Sequence, residues 1–314
     1  AFDHGKDVVL GNAELDAFLG PILNVRAKQA GLVITHTDGE EPGVAMTLLR
    51  YLRGCGLRTV AGGNLKGMVD HYRTPETQKA FALKYDQDPR KVTSFADASK
   101  LSLETTILAN ATGFAVGKRG MYGPPCDHVS KIASLLPADR MLSTGLVDFA
   151  LGAAPYTGAF VVVYEENPLK QAQMGYVKMG DGPFYVFYTP FHLPHIQMMS
   201  TIGRAVIYRD PTVVPMAGPV CEVVTMAKRD LKAGEMLDGV GGFTAYGLID
   251  NSSTARAENA LPLSLSDGCT LRRDVSKDQV VTFADVTLPS RPAVDRLWNE
   301  QLAHFAVAQP VGAK

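Results

Sequence analysis

The chain has 314 residues, a net charge of −1 at pH 7, 46% hydrophobic residues and 20% charged residues, which is typical of a globular protein with a substantial core. This length favours two domains over one or three. The positive and negative charges nearly balance and the basic residues form no stripe, which argues against nucleic-acid binding. No run reaches the roughly 18 apolar residues that a membrane-spanning helix needs. The opening residues AFDHGKD also lack a signal peptide, so we expect no membrane association and a cytoplasmic location.

The first part of the chain alternates between strands and helices. We predict strands at residues 7–10, 32–36 and 57–61, separated by helices at 13–30 and from about 42 to 53. Such a series is typical of a parallel, wound sheet. Glycine and proline mark the helix boundaries in this series: the first helix ends at Gly31, and Pro42 lies near the start of the second.

Ionisable side chains follow two of these predicted strands. Ligands of parallel α/β sheets bind outside the carboxyl ends of the strands, so the two loops together make a candidate reaction centre. The loop after the second strand holds Asp38, Glu40 and Glu41, and the loop after the third holds Asn64, Lys66, His71 and Arg73.

From residue 74 the pattern changes to that of an α+β domain. We predict helices at 74–85, 97–110, 127–136 and 194–208, and strands at 146–150, 159–164 and 184–188. The last two strands lack a long crossover, which favours antiparallel pairing. Residues 219–290 alternate with a period of two and contain tight turns, so they predict a small β-rich module, and a helix follows after residue 291.

Two sets of motifs resemble known families. The segments AKRDLKAGEMLDG, LPLSLSDG and LRRDVSKDQVVTFADVTL resemble an SAF domain, a small β-clip fold. The segments GKDVVLGNAELDAFLGP, GEEP, VAGG, LANATGF and LVDFALG resemble homoserine-dehydrogenase-like oxidoreductases. Their closest resemblance is to the SAF-bearing branch described as 1-deoxy-D-xylulose 5-phosphate reductoisomerase-like (DXR-like).

This resemblance implies an α/β fold with an incomplete Rossmann-like wound sheet, an α+β substrate and dimerisation domain, and an SAF module. The domains would be 1–73, 74–218 and 219–290, with a helix and tail at 291–314. The chain contains no GxGxxG motif, so we expect the first half of an NAD(P)-binding domain to precede Ala1. The resemblance also implies a homodimer or homotetramer.

Matching positions imply site residues. Gly11 and Asn12 match the turn beside the nicotinamide, while Lys66, Glu41-Pro42 and Asp148 match positions of the DXR-like branch. Glu40 stands where that branch has Asp. Ala13-Glu14 stands where homoserine dehydrogenases carry a lysine, which argues against homoserine as the substrate.

The types of the candidate residues suit the reduction of a carbonyl substrate, but each residue could instead have a structural role or be solvated. Lys66 could stabilise or protonate a developing alkoxide, or be a solvated lysine. Asp38, Glu40 and Glu41 could hold Mg²⁺ or Mn²⁺, or simply stabilise a helix N-terminus. Asp148 could act in the site or form a buried ion pair. Asn64, His71, Arg73, Lys118 and Arg119 could bind an anionic substrate, or be solvated.

The leading hypothesis is an NAD(P)-dependent oxidoreductase of a small polyol or sugar phosphate. Its chemistry would resemble the conversion of 1-deoxy-D-xylulose 5-phosphate to 2-C-methyl-D-erythritol 4-phosphate in isoprenoid biosynthesis. One alternative is an oxidoreductase of a nucleotide-linked or branched sugar, without a metal. An alternative of another class is a non-catalytic protein that binds a sugar or a partner. The four cysteines are widely spaced and are interpreted as reduced thiols: Cys55, Cys126, Cys221 and Cys269.

Overall fold

The computed structural model describes residues 1–306, which form a mixed α/β fold, as the sequence predicts. The end of the predicted C-terminal tail, residues 307–314, lies outside the described residues. Strands β1 (Val8–Leu10) and β2 (Ile34–His36) pair in parallel and are connected by helix α1 (Ala13–Gln29). The backbone N–H of Leu15 donates to Asn12 Oδ1 at 2.7 Å, and this cap fixes where α1 begins.

The third predicted strand belongs to a different sheet. Strand β3 (Arg58–Lys66) follows helix α2 (Glu41–Gly54) and lies inside a four-stranded sheet of order β4-β3-β5-β6. It pairs in parallel with β4 and antiparallel with β5. The prediction of one wound sheet containing all three strands is therefore wrong for β3. The other strands of this sheet are β4 (Leu146–Leu151), β5 (Ala159–Tyr164) and β6 (Phe184–Thr189).

Glycine allows the close pairing of β3 with β4. A Cβ atom on Gly63 would lie 1.6 Å from the carbonyl oxygen of Asp148, so no other residue fits there without moving a strand. Residues 59–65 of β3 are all buried, which requires cover on both faces of the strand. The predicted antiparallel pairing of β5 with β6 is confirmed.

Helix α5 (Ser99–Thr112) is the central helix of the fold. All its residues are buried except Lys100 and Thr112, which are partly exposed. Two helices precede it, α3 (Pro75–Lys84) and α4 (Pro89–Ala96). The sequence predicts α3, with its end at residue 85, but no helix between residues 86 and 96. Instead Asp88 caps the start of α4 by accepting from Lys91 N–H at 2.9 Å.

The C-terminal part is rich in short strands and bridges. Strands β7 (Cys221–Ala227) and β8 (Ala245–Asn251) pair antiparallel, and β9 (Thr270–Leu271) pairs antiparallel with β10 (Val286–Thr287). Helix α12 (Pro292–His304) returns to the first part of the chain, where the Trp298 ring stacks on Phe18 at 4.8 Å between centroids. The predicted domain boundaries remain predictions.

The remaining helices connect these elements. Within residues 1–306, no helix has both the length and the apolar content required to cross a membrane. The predicted helix 194–208 is an α-helix that continues into a π-helical turn at Arg204–Tyr208. The remaining helices are α6 (Ile132–Leu135), α7 (Ala138–Ser143), α8 (Pro168–Tyr176), α9 (Pro194–Gly203), α10 (Ser252–Ala257) and α11 (Leu263–Ser266).

A buried ion pair joins the C-terminal part to the start of α5. Lys228 Nζ donates at 2.8 Å to Asp97 Oδ2 and at 2.8 Å to the carbonyl oxygens of Arg73 and Gly242. Both charged side chains are almost fully buried, at 3% and 0% exposure. All three ammonium donors of Lys228 are therefore satisfied.

We predict that Lys228→Met lowers the free energy of unfolding by about 3–5 kcal/mol, because it leaves the Asp97 carboxylate buried without its partner. Adding Asp97→Asn should restore part of the loss. Lys232→Met, which breaks the exposed Lys232–Asp274 pair, is the control and should have no measurable effect. Urea denaturation measures all of these; equal effects of the Lys228 and Lys232 variants would contradict the prediction.

Candidate functional site

A cleft of about 640 Å³ opens where the ends of β1 and β3 meet the starts of α2 and α9. This volume is within the range of small-molecule sites. A separate cavity of about 760 Å³ beside α12 has a mixed apolar and polar lining with three ionisable residues, Glu222, Arg256 and Asp295. The cleft differs from it because more ionisable groups converge there. The cleft is lined by Gly11, Glu40, Glu41, Leu65, Lys66, Gly67, Phe81, Lys91, Phe95, Lys100, Glu104, Tyr156, Thr157, His192, Pro194 and His195.

Lys66 lies at the last position of β3, not in the loop that the sequence analysis predicted. Its Nζ atom is 2.8 Å from Glu41 Oε1 and 3.5 Å from Glu104 Oε2. Burial alone would lower the pKa of Lys66. The charges of Glu41 and Glu104 outweigh burial and raise that pKa above its ordinary value, so the ammonium form persists.

Glu41 lies in the first turn of α2, where the helix dipole favours an acid. Its Oε2 atom is 3.6 Å from His192 Nδ1, so Glu41 lies between Lys66 and the start of α9. Burial would raise the pKa of Glu41, but the Lys66 charge overcomes it and lowers this pKa to about 2. Glu41 is thus a carboxylate at any physiological pH.

Glu104 projects from α5 into the same cluster and is 3% exposed. Asn64 Nδ2 donates to its Oε2 atom at 3.1 Å, and Lys100 Nζ is 3.9 Å from its Oε1 atom. Burial, with the nearby charge of Glu41, raises the pKa of Glu104 to about 8. Its surroundings therefore favour the protonated form of this carboxyl.

The cluster continues inward to a fully buried histidine. His36 Nε2 is 3.0 Å from Glu40 Oε2, and His36 Nδ1 is 3.0 Å from Asp16 Oδ2. Glu40 Oε2 is also 3.6 Å from Lys100 Nζ. Burial would lower the pKa of His36, but the two carboxylates raise it to about 9, so the ring is an imidazolium. We call the whole set the charge chain: Asp16, His36, Glu40, Lys100, Glu104, Lys66, Glu41 and His192.

The three predicted metal ligands do not form one ligand set. Asp38 accepts from Gly39 N–H at 2.9 Å and from Thr47 Oγ1 at 3.1 Å, while Glu40 and Glu41 are held by the charge chain. Within residues 1–306, no group of three or more His, Cys, Asp or Glu side chains is placed to hold a metal ion. The donors therefore do not fit the predicted Mg²⁺ or Mn²⁺.

Asp148 lies outside the cleft lining. Its carboxylate accepts the backbone N–H groups of Tyr122, Gly123 and Phe149 at 3.0, 2.8 and 2.8 Å. Asp148 thereby holds the loop 117–125 against β4. The structure does not bring it together with the cleft residues Lys66 and Glu41 that were predicted to act with it.

His71 and Arg73 also lie away from the cleft lining, beside the C-terminal part. The His71 ring stacks on Tyr246 at 4.7 Å, and its Nδ1 atom is 2.9 Å from the carbonyl oxygen of Asp97. Arg73 pairs with Asp70 at 2.9 Å. Their contacts connect the loop after β3 with the C-terminal part of the chain, so we assign them a structural role.

Lys118 and Arg119 lie on the same loop that Asp148 holds, again outside the cleft lining. Lys118 Nζ lies 5.4 Å from the centroid of the Tyr122 ring. Arg119 bonds Asp250 at 2.7 Å and Glu258 at 2.6 Å. Of the five predicted substrate-binding residues, only Asn64 contacts the charge chain.

Of the two residues predicted to bind the cofactor, only one lines the cleft. Gly11 lines the cleft and has no side chain to obstruct it, whereas the Asn12 side chain is occupied in capping α1. Three residues of the charge chain are not among the site residues predicted from the sequence, namely Lys100, Glu104 and His36. A signal was present for two of them, because Lys100 and Glu104 are charged residues four apart in the otherwise apolar and neutral segment 99–112.

A mixed α/β fold with charged groups converging in one cleft is the arrangement expected at an enzyme active site. Comparison with known families matches residues 39–198 to the catalytic domain of the oxidoreductase DRL. This match spans half of the chain, so the chain belongs to that family and is an oxidoreductase. The matched range contains Glu41, Lys66, Lys100, Glu104 and His192. No curated protein matches the chain.

The charge chain makes folding stability depend on pH through His36. A pKa raised from 6.5 to about 9 contributes stability that is complete below pH 6.5 and lost as pH rises to about 9. We expect the free energy of unfolding to fall by about 3 kcal/mol across this window because of His36 alone.

In His36→Asn this part of the decline should disappear, whereas the exposed control His4→Asn should retain it. Denaturant unfolding at several pH values measures the decline, and NMR titration of the His36 ring measures the pKa directly. A His36 ring that titrates near 6.5 would show that the imidazolium is not buried between carboxylates.

Proposed function

We propose that this chain carries the substrate cleft of an NAD(P)-dependent oxidoreductase that reduces the carbonyl of a small sugar phosphate or polyol, with DXR-like chemistry. The observation that carries this proposal is the placement of Lys66 in the cleft, held 2.8 Å from Glu41 and 3.5 Å from Glu104. Membership of an oxidoreductase family supports catalysis over the non-catalytic alternative.

Lys66 would stabilise the charge that develops on the substrate. NAD(P)H, when bound, supplies the hydride that converts the carbonyl to an alkoxide. A fixed ammonium group in a partly buried cleft stabilises that oxyanion more than water would. The Lys66 side chain is only 16% exposed, so its charge is weakly screened. Glu41 holds the ammonium in place and is itself fixed in the first turn of α2.

The nicotinamide end of the cofactor would approach the cleft at Gly11. This residue follows β1, and parallel strands bind ligands beyond their carboxyl ends. Because Gly11 lacks a side chain, a flat ring can approach the backbone closely. The Asn12 side chain, occupied at the start of α1, would contribute by fixing this turn.

The substrate phosphate would bind at the mouth of the cleft. Lys91 and His195 line the mouth, are exposed, and form no ion pair with another residue within the described part of the chain. Lys66 and Lys100 face carboxylates, so they have less charge to offer a phosphate. Lys91 and His195 therefore replace His71, Arg73, Lys118 and Arg119 as the proposed phosphate-binding residues.

One observation favours the alternative, a nucleotide-linked sugar as substrate. Three aromatic side chains line the cleft with 56%, 38% and 62% of their surface exposed, namely Phe81, Phe95 and Tyr156. Exposed rings at a cleft mouth can stack on a nucleobase. Turnover of a nucleotide sugar but not of a simple sugar phosphate would favour this second candidate.

We predict that Lys66→Met lowers kcat for NADPH oxidation in the presence of 1-deoxy-D-xylulose 5-phosphate about 10²–10³-fold, because the oxyanion loses its positive partner. Glu41→Gln should also lower kcat, since it releases Lys66. Lys170→Met is the matched control, because Lys170 also pairs with a glutamate, Glu165, at 2.8 Å. Glu165 follows the end of β5 that pairs with the start of β3, whereas Lys66 lies at the last position of β3. The full-length enzyme is assayed by loss of NADPH absorbance. Normal turnover in both the Lys66 and Glu41 variants would place the site elsewhere.

We predict that Lys91→Met raises KM for the phosphorylated substrate about tenfold, the loss expected for one charge-assisted contact. It should leave KM for the unphosphorylated sugar unchanged. Lys84→Met, an exposed lysine beside Tyr85, serves as the control. If Lys91→Met changes KM for both sugars equally, the phosphate does not bind at Lys91.

A further inference from the structure

We propose that Glu104 is the proton donor of the cleft, and that Lys66 stabilises the oxyanion without giving up its own proton. This inference deepens the proposed carbonyl reduction and rests on it. It separates two roles that a single lysine would otherwise have to combine.

The position of Glu104 suits proton transfer to a bound substrate. Its carboxyl lines the cleft although the side chain is 3% exposed, so it is within reach of a ligand and shielded from bulk water. Asn64 Nδ2, 3.1 Å from Oε2, orients the carboxyl from β3. Lys66 Nζ lies 3.5 Å from the same oxygen, so donor and oxyanion-stabilising charge are neighbours.

The charges around Glu104 favour its neutral form. The four charged groups that face it are Lys66 on β3, Lys100 on α5, and Glu40 and Glu41 at the start of α2. Glu41 lies closer to Lys66 than Glu104 does, and Glu40 lies closer to Lys100 than Glu104 does. Each of the two lysines therefore has another carboxylate nearer to it than Glu104.

A count over the buried part of the charge chain leads to the same result. Four carboxyl groups, Asp16, Glu40, Glu41 and Glu104, face three buried cations, His36, Lys100 and Lys66. The remaining member of the charge chain, His192, is 30% exposed and lies 3.6 Å from Glu41, so it is not part of this buried set. A buried cluster avoids a surplus charge by taking up a proton. Despite burial, nearby positive charges lower the pKa values of Glu40 and Glu41, whereas burial raises that of Glu104, so we assign this proton to Glu104.

Lys66 is unsuited to supplying the proton. Its neighbouring carboxylates raise its pKa, so its ammonium form is the more stable one. In the proposed step the O–H bond of Glu104 breaks, its proton forms an O–H bond with the substrate alkoxide, and the electron pair remains on the Glu104 carboxylate. Lys66 and Lys100 stabilise this carboxylate until a proton from solvent restores it.

The test compares Glu104→Gln with a matched control in the full-length enzyme, using NADPH and 1-deoxy-D-xylulose 5-phosphate. Glutamine preserves shape and the acceptor for Asn64 but has no acidic proton. We expect kcat to fall about 10²–10⁴-fold, the usual contribution of a positioned acid. KM and NADPH binding, measured by fluorescence, should stay near the wild-type values. The control is Glu165→Gln, because Glu165 is also a buried glutamate paired with a lysine.

The dependence of kcat on pH distinguishes a proton donor from a residue with a structural role alone, because only loss of the donor would change this dependence. In the wild type, kcat should fall as pH rises through about 8, since the donor loses its proton. The residual activity of Glu104→Gln should lack this fall, and Glu104→Asp should partly restore it. A wild-type kcat that does not fall through this pH range would overturn the inference without any variant.

The outcomes separate the two proposals. If the wild type oxidises NADPH with the sugar phosphate and folded Glu104→Gln keeps normal kcat, the role of Glu104 is refuted while the proposed function stands. If the wild type shows no NADPH oxidation with the sugar phosphate, the proposed function fails and the inference fails with it. Thermal unfolding of each variant shows whether a low kcat comes from loss of the fold.

Discussion

The charge chain is the interaction on which the rest of the site depends. Burying charged groups is costly unless each has a partner, and the chain meets this condition by alternating acids and bases from α1, β2, α2, α5 and β3. Because each member contacts a neighbour on another element, the chain fixes how these elements meet. The same contacts favour an ammonium at Lys66 and a carboxylate at Glu41, which are the ionisation states that the proposed reduction requires.

The fold places this chain where two kinds of sheet meet. The pair β1–β2 supplies His36 and the turn at Gly11, whereas β3 brings Lys66 and Asn64 from the four-stranded sheet. Helix α5 packs against α1, α2 and β3 and supplies Lys100 and Glu104. A cleft lined by residues of several helices and strands favours precise placement of a substrate. Family membership shows an oxidoreductase, and this arrangement is consistent with reduction of a carbonyl.

Residues that were grouped in the sequence serve different purposes in the structure. His71 and Arg73 follow Lys66 by only a few positions, yet they contact Tyr246 and Asp70 at the joint with the C-terminal part. Asp148 pairs in register with Gly63, three positions before Lys66, but its carboxylate holds the loop 117–125. Proximity along the chain did not predict which side chains enter the cleft, because a strand end and the loop after it diverge within a few residues.

The sequence by itself determined the local elements and two central residues of the candidate site. Hydrophobic periodicity and caps located β1, α1, β2 and α2, and motif resemblance selected Glu41 and Lys66, which the structure places 2.8 Å apart. Tertiary structure alone decided the pairing of β3, because its partner β4 lies about eighty residues later and any buried strand would show the same local pattern. It also decided the roles of His36 and Glu104, since an ionisation state depends on burial and on charges that distant segments supply.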